Sequence, residues 1–303
     1  MNISKSIDIF LWPLVAVLIY FVCQLFGQLV VQTILMYSYS SSDEVLRLGN
    51  VAGWAQLLSA VVIVGAMMLV RGFRLRRSFR FPRVGVAALS VAFVAVLFAL
   101  FGGTVLNDLL ESQFGIKLPP EYEQLFKDMM STPAGIFATC VAVPLCEEVV
   151  FRAGIMNPLL THGVNPWIPI SLSAVLFGVF HGNVVQMSYA IPAGFVFAVV
   201  YYLTGSLFVP VLCHILNNTV MVVLMLQVPE VENFHFTDVF GTGLSLGLLV
   251  LAAILTALLL YRLWGRLGGS ARERFSDVSS TNNTFSYTYS DSSPVDSHVY
   301  DKK

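Results

Sequence analysis

Charged side chains in this chain are gathered into short clusters, and long apolar stretches run between them. Ile9–Ser42, Leu48–Val70, Val84–Asn107, Met129–Cys146, Ala153–Pro229 and Val239–Tyr261 contain no Asp, Glu, Lys or Arg. A membrane-spanning helix needs ~20 mostly apolar residues, because ~1.5 Å of rise per residue must cross ~30 Å of hydrocarbon. The fifth stretch is 77 residues long, too long for one span. Weak polar breaks at Asn183–Tyr189 and Thr204–Ser206 divide it into three helices. The pattern therefore predicts an all-α polytopic membrane protein of about eight transmembrane helices. Two further segments stand apart. Pro119–Met130 opens with prolines and sets Leu125, Phe126, Met129 and Met130 close on one face, the pattern of a short helix at the membrane interface. Ser276–Lys303 is too polar to bury a core and reads as a disordered tail.

Composition narrows the class further. Of 303 residues 56% are apolar and 12% charged, with a mean hydropathy of +0.77; soluble domains carry ~25% charged residues. A net charge of -1 gives no basic field for nucleic acid. Cys23, Cys140, Cys146 and Cys213 lie in apolar runs with no CxxC pair, so neither a disulfide framework nor a cysteine zinc site is expected. The six arginines of Arg71–Arg83 and the basic residues after Tyr261 place both on the cytoplasmic side. The acidic loops at Asp43–Glu44, Asp108–Asp128 and Glu230–Asp238 then lie outside, and both termini are cytoplasmic. Short loops and no organelle signal suit a bacterial inner membrane. The first apolar run is too long for a signal peptide and reads as an uncleaved first helix.

Ionisable groups inside a span cost ~2.5–3.5 kcal/mol each on insertion scales and tend to serve function. Here they gather in spans four to seven. VPLCEEVVFRAG carries Glu147, Glu148 and Arg152 at the expected cytoplasmic end of span four. FGVFHG carries Phe177 and His181, and HILNN carries His214 and Asn218. Each pair is spaced i,i+4 and shares one helix face. Glu148 and Arg152 can pair along their own helix. Glu147 points ~100° away and needs a partner from another helix, with His181, His214 and Asn218 the candidates. Gly178 and Gly182 would let a neighbouring backbone approach. Plainer readings exist for each element: a helix-end ion pair, or a histidine that only glues helices. Gln24, Gln28 and Gln32, also at i,i+4, read as such glue. His162, His235 and His298 read as surface residues, and Gly243 with Gly247 could serve a helix contact.

EEVVFR fits EExxxR, FGVFH fits FxxxH and HILNN fits HxxxN, in this order on successive hydrophobic segments. The chain here resembles the CPBP family of intramembrane endopeptidases, which groups CAAX prenyl proteases of the Ras-converting type with bacteriocin-processing enzymes. The resemblance covers about 134–225. It departs at Ala153, where many relatives have Gly, and Asn217 beside Asn218 lacks the spacing from His214. The resemblance implies peptide-bond hydrolysis in the membrane, with Glu147, Glu148, Arg152, His181, His214 and Asn218 as site residues. The side chains suit that chemistry. Glu147 and His181 could hold and deprotonate a water, while His214 and Asn218 donate to an oxyanion. Glu148 and Arg152 would orient the Glu147 helix. Low dielectric suits a base that must return its proton.

No cofactor is expected, although Glu147, His181 and His214 also make a familiar zinc set with an open water position. The partners expected are a peptide or membrane-protein substrate and the bilayer. The substrate would be membrane-associated, prenylated or leader-bearing, and nucleic acid is not expected. A proton-coupled transporter and a non-catalytic immunity or scaffold protein are the alternatives; no internal repeat favours the former. The chain divides into spans one to three with the interfacial segment (1–132), a catalytic core of spans four to seven (133–229), a last span (230–265) and the tail (266–303).

Overall fold

The computed structural model describes residues 3–38, 44–69, 84–227 and 234–287. Among them every regular element is helical: α1 (Ile3–Ser38), α2 (Glu44–Leu69), α3 (Val86–Phe114), α4 (Pro120–Met130), α5 (Pro133–Thr161), α6 (Trp167–Val179), α7 (Val184–Thr204), α8 (Phe208–Gln227) and α9 (Phe236–Tyr287). Seven of these are long and apolar enough to span a membrane. The protein is an all-α, multi-pass membrane protein. The expected eighth span is α6, an apolar helix of 13 residues, or about 20 Å, which is shorter than the hydrocarbon layer. Two breaks within the 77-residue stretch, at 180–183 and 205–207, fall close to where polar residues and glycine predict them, and a third, at 162–166 between α5 and α6, was not expected. Gly205, at φ 62°, ends α7 in the left-handed conformation.

The fourth span departs most from expectation. The helix does not end near Arg152 but continues to Thr161, so Glu147 is the middle residue of its 29. Thr132 caps its start, accepting from the Gly135 N–H at 3.1 Å, with Pro133 in the first turn. Two wide π-helical stretches, Ala138–Ala142 and Val149–Met156, interrupt it. Each is followed within two residues by a proline, Pro144 or Pro158. Proline has no N–H and crowds the carbonyl four residues back; widening the preceding turn relieves that clash without breaking the helix. The charged triplet thus lies well inside the helix rather than at its end.

α1 packs along α2, α3 along α9, and α6 along α7. Close approach uses glycine where expected at Gly178, whose Cβ would sit 2.2 Å from Ile191 of α7. Gly182 instead turns the chain after α6, at φ 75°, with open space around it. Gly243 and Gly247 meet nothing within 4 Å. One apolar core joins Ala16 and Tyr20 of α1, Ile63 and Met67 of α2, Phe151 and Ile155 of α5, and α7, which is buried throughout Val196–Thr204. Large apolar side chains of α1, α2 and α9 face outward, as lipid contact requires.

Other expectations change. α4 forms as expected and buries Met129 and Met130, while Leu125 stays exposed. Asp108 lies within α3, buried, not in a loop; it accepts from His235 Nδ1 (2.8 Å) and the Thr237 N–H (2.9 Å), so His235 is no free surface residue. The last helix runs on to Tyr287, past the point where the tail was expected to begin. The arginine loop (71–83), the loop at 228–233 and the terminus with His298 lie outside the described residues.

Candidate active site

The middle of α5 carries the site: Glu147 and Glu148 end the α-helical segment between the two π-helical stretches, and Arg152 lies in the second. Consecutive residues point ~100° apart, and that angle sends Glu147 and Glu148 into different surroundings. Glu148 is fully buried. Its Oε2 lies 3.1 Å from Arg152 Nε and its Oε1 3.0 Å from His214 Nδ1. Arg152, also fully buried, donates from one terminal nitrogen to the Gly194 carbonyl at 2.8 Å and lies over the rings of Phe177 (4.9 Å) and Phe197 (5.6 Å). The pair is therefore no helix-end contact near headgroups. It anchors α5 to α7 and α8.

Glu147 keeps 11% of its side-chain exposure. Its Oε2 faces His214 Nε2 at 3.8 Å, and its Oε1 accepts from the Tyr20 hydroxyl at 3.4 Å. His214 is clamped between two carboxylates, stacked on Phe197 (4.8 Å, 23°) and edge-on to Phe177. Of the six expected residues, Glu147, Glu148, Arg152 and His214 come together. Asn218 lies one turn further along α8, where its amide donates to the Thr139 carbonyl at 2.9 Å. His181 sits at the end of α6 with Nδ1 on the Phe177 carbonyl (2.9 Å) and its ring against Phe177. Among the described residues no hydrogen bond or ion pair joins His181 to the other five.

Hydrogen-bond logic fixes the tautomers. A carbonyl oxygen only accepts, so His181 carries its proton on Nδ1 and presents Nε2 as an acceptor. Glu148, the counter-ion of a permanently charged guanidinium, also accepts, so neutral His214 carries its proton on Nδ1 as well. Its Nε2 lone pair then faces Glu147.

Two residues escaped the motif reading. Tyr20, on α1, completes the Glu147 site and packs against Phe151 and Phe180. Asn217 is buried and donates to both the Tyr189 hydroxyl and Asn218. Only the polarity of a tyrosine in the middle of an apolar run could have pointed to Tyr20; spacing alone set Asn217 aside. As for a metal, no three His, Cys, Asp or Glu side chains among the described residues are grouped to hold one. Glu147 and His214 converge without His181, so the expected trio does not fit a zinc ion as arranged.

Residues 130–220 match the family model described as Type II CAAX prenyl endopeptidase Rce1-like. All three motifs lie inside that stretch, and the resemblance they carry is borne out by this match. Among curated proteins it is similar to the candidate membrane peptidase YdiL of Bacillus subtilis (strain 168), 28% identical over 137 residues, 45% of this chain and 56% of that one. The chain thus matches little more than half the length of that relative. It is also similar to the membrane-embedded CAAX protease MroQ of Staphylococcus aureus (strain USA300), 25% identical over 230 residues, 73% of this chain and 92% of that one. No solved structure matches.

Proposed function

We propose that the protein is an intramembrane endopeptidase that hydrolyses a peptide bond with a water activated by Glu147. The observation that carries this reading is the face-to-face pair of acceptors, Glu147 Oε2 and His214 Nε2, 3.8 Å apart. Two acceptors cannot satisfy each other; a water donating one hydrogen to each can. A water ~2.8 Å from both would subtend an angle of about 85°, close to its natural geometry. Its remaining lone pairs then point away from both, towards an incoming carbonyl carbon.

The steps follow from the residues. Glu147 withdraws one proton as the water oxygen attacks. His214, held by Glu148, orients the same water through its other hydrogen. The oxyanion that forms needs donors. Asn218 keeps a second amide hydrogen beyond the one given to Thr139 and can donate it there. Glu147 then returns its proton to the leaving amine. Arg152 holds Glu148 in place and touches none of the reacting atoms.

The substrate class is a membrane-associated peptide segment, prenylated or leader-bearing, cleaved within the bilayer. The bacterial relatives and the arginine distribution support a cell-membrane location with both termini in the cytoplasm. The test is cleavage of a labelled membrane peptide by purified protein in detergent. Glu147→Gln keeps shape and removes the proton acceptor, so turnover should fall at least ~10²-fold with the fold intact. Near-normal turnover would sink the assignment and make Glu148 the next carboxylate to test.

A further inference from the structure

A hydrolase consumes one water per turnover, yet Glu147 lies 14 residues from either end of α5, about 21 Å of apolar surroundings in each direction. Water needs a polar way in. The glutamine series on α1 supplies the residues for one, and as helix glue it is only partly explained. Gln24 donates to Gln56 of α2 at 2.7 Å, so that member does join two helices. Gln28 and Gln32 are exposed. An amide facing hydrocarbon without a hydrogen-bond partner costs several kcal/mol, which leaves their presence on a spanning helix unaccounted for by glue.

Helix geometry extends the series inward. Tyr20 precedes Gln24 by four residues, so Tyr20, Gln24, Gln28 and Gln32 form one row that drifts ~40° per step. Burial follows that drift: Tyr20 is buried, Gln24 half-buried, and Gln28 and Gln32 are exposed. The row spans 12 residues, about 18 Å, nearly the depth from the middle of α5 to its end. Its inner end is the Tyr20 hydroxyl on Glu147. A narrow crevice, too tight to hold a water as it stands, lies there between three helices, lined by Tyr20 and Gln24 of α1, Gln56 and Ala60 of α2, and Val143 with Glu147 of α5.

We propose that this row is the route by which water reaches the catalytic carboxylate. The Gln24–Gln56 pair is its constriction, and Tyr20 is a positioning residue that hands water to Glu147. The proposal rests on the hydrolase reading. Each glutamine offers both a donor and an acceptor, which is what a file of waters needs at every step. Tyr20 holds Oε1 while Oε2 is left to face His214, so one carboxylate meets both the supply and the reacting partner.

The test separates the route from the enzymology. In a Cys23→Ala background reconstituted in vesicles, single cysteines replace Gln28, Gln32, Leu25 or Leu29. Leu25 and Leu29 are 46% and 63% exposed on the neighbouring face. A charged methanethiosulfonate reacts with a hydrated thiolate and not with a thiol in lipid, so positions 28 and 32 should label at least about tenfold faster than 25 and 29. Gln24→Leu with Gln56→Leu should lower kcat at least about fivefold and leave KM unchanged. Labelling no faster than at the leucines overturns the route, whatever the enzyme does. A raised KM at unchanged kcat overturns it too, and assigns the glutamines to the substrate backbone. A wild-type protein that cleaves no peptide while positions 28 and 32 label quickly removes the hydrolase reading and leaves the water route standing.

Discussion

Removing the guanidinium of Arg152 should unfold the protein before it disables the chemistry. In Arg152→Ala, Glu148 loses its counter-ion at a site with no exposure at all. Breaking a buried ion pair from one side costs ~3–5 kcal/mol, because the stranded charge keeps its desolvation penalty. The Gly194 carbonyl also loses a 2.8 Å donor, and the rings of Phe177 and Phe197 lose the cation over their faces; these add ~1–3 and ~1–2 kcal/mol at most, not independently. Even the ion-pair loss alone lowers Tm by about 6–20 °C for a protein of this size class. The double variant Glu148→Gln, Arg152→Gln strands neither charge. It should recover folded yield and part of the Tm, while the amide at 148 still offers His214 a carbonyl acceptor of weaker kind. His214→Ala leaves Glu148 paired with Arg152, so activity should fall with a smaller loss of fold. The assay is detergent-solubilised yield and Tm for each variant beside its turnover. If Arg152→Ala melts with the wild type and the double variant gains nothing, the pair is not structural and Arg152 is better placed on the substrate.

The remaining expectations are more direct. Because Glu147 and His214 converge without His181, prolonged chelation should leave turnover intact and elemental analysis should find no stoichiometric metal; loss on chelation with recovery on added zinc would refute this. Gly178→Ala brings a Cβ within 2.2 Å of Ile191 Cγ1 and 3.1 Å of its backbone nitrogen, so it should cost ~1–3 kcal/mol of stability by overpacking. Adding Ile191→Ala should return part of that Tm, and failure to do so would place the strain elsewhere. Reporter fusions at Lys303 and within 230–238 should report cytoplasmic and external positions, which requires the short α6 to cross beside the seven long helices; an external C-terminus would mean that α6 does not cross.

Helices, their order and most of the site were legible because bilayer physics leaves few alternatives. A charge-free run of about 20 residues has to be a helix, and a charge inside it has to be explained. Glu147, Glu148, Arg152 and His214 announced themselves that way. What spacing could not convey was depth. Charge counting closed the fourth span at Arg152, since an arginine ordinarily belongs at an interface; the structure instead buries it against Glu148 and two aromatic rings. The length of α6 was hidden as well, because an uninterrupted apolar run carries no mark of where a short helix starts. Tyr20 and Gln56 were invisible for a different reason. Neither belongs to a motif, and their meaning depends on which helices become neighbours.

That neighbourhood bears on what counts as the catalytic unit. The family match begins at residue 130, yet the hydroxyl on Glu147 comes from α1 and the crevice beside it from α1 and α2. The same two helices close around the π-helical stretch that follows Glu147 and Glu148: a Cβ at Gly154 would meet Met67 at 2.3 Å and Ala16 at 3.8 Å. A widened turn exposes more backbone than an ordinary one and needs close, well-fitted neighbours to hold its shape. Glycine at 154 lets Met67 and Ala16 come that near. With α1 and α2 removed, Val149, Val150, Phe151, Ile155 and Met156, each at most 1% exposed, would lose part of their packing, and Glu147 would lose its tyrosine. The first two helices therefore belong to the packing that shapes the candidate site, although no recognisable motif lies in them.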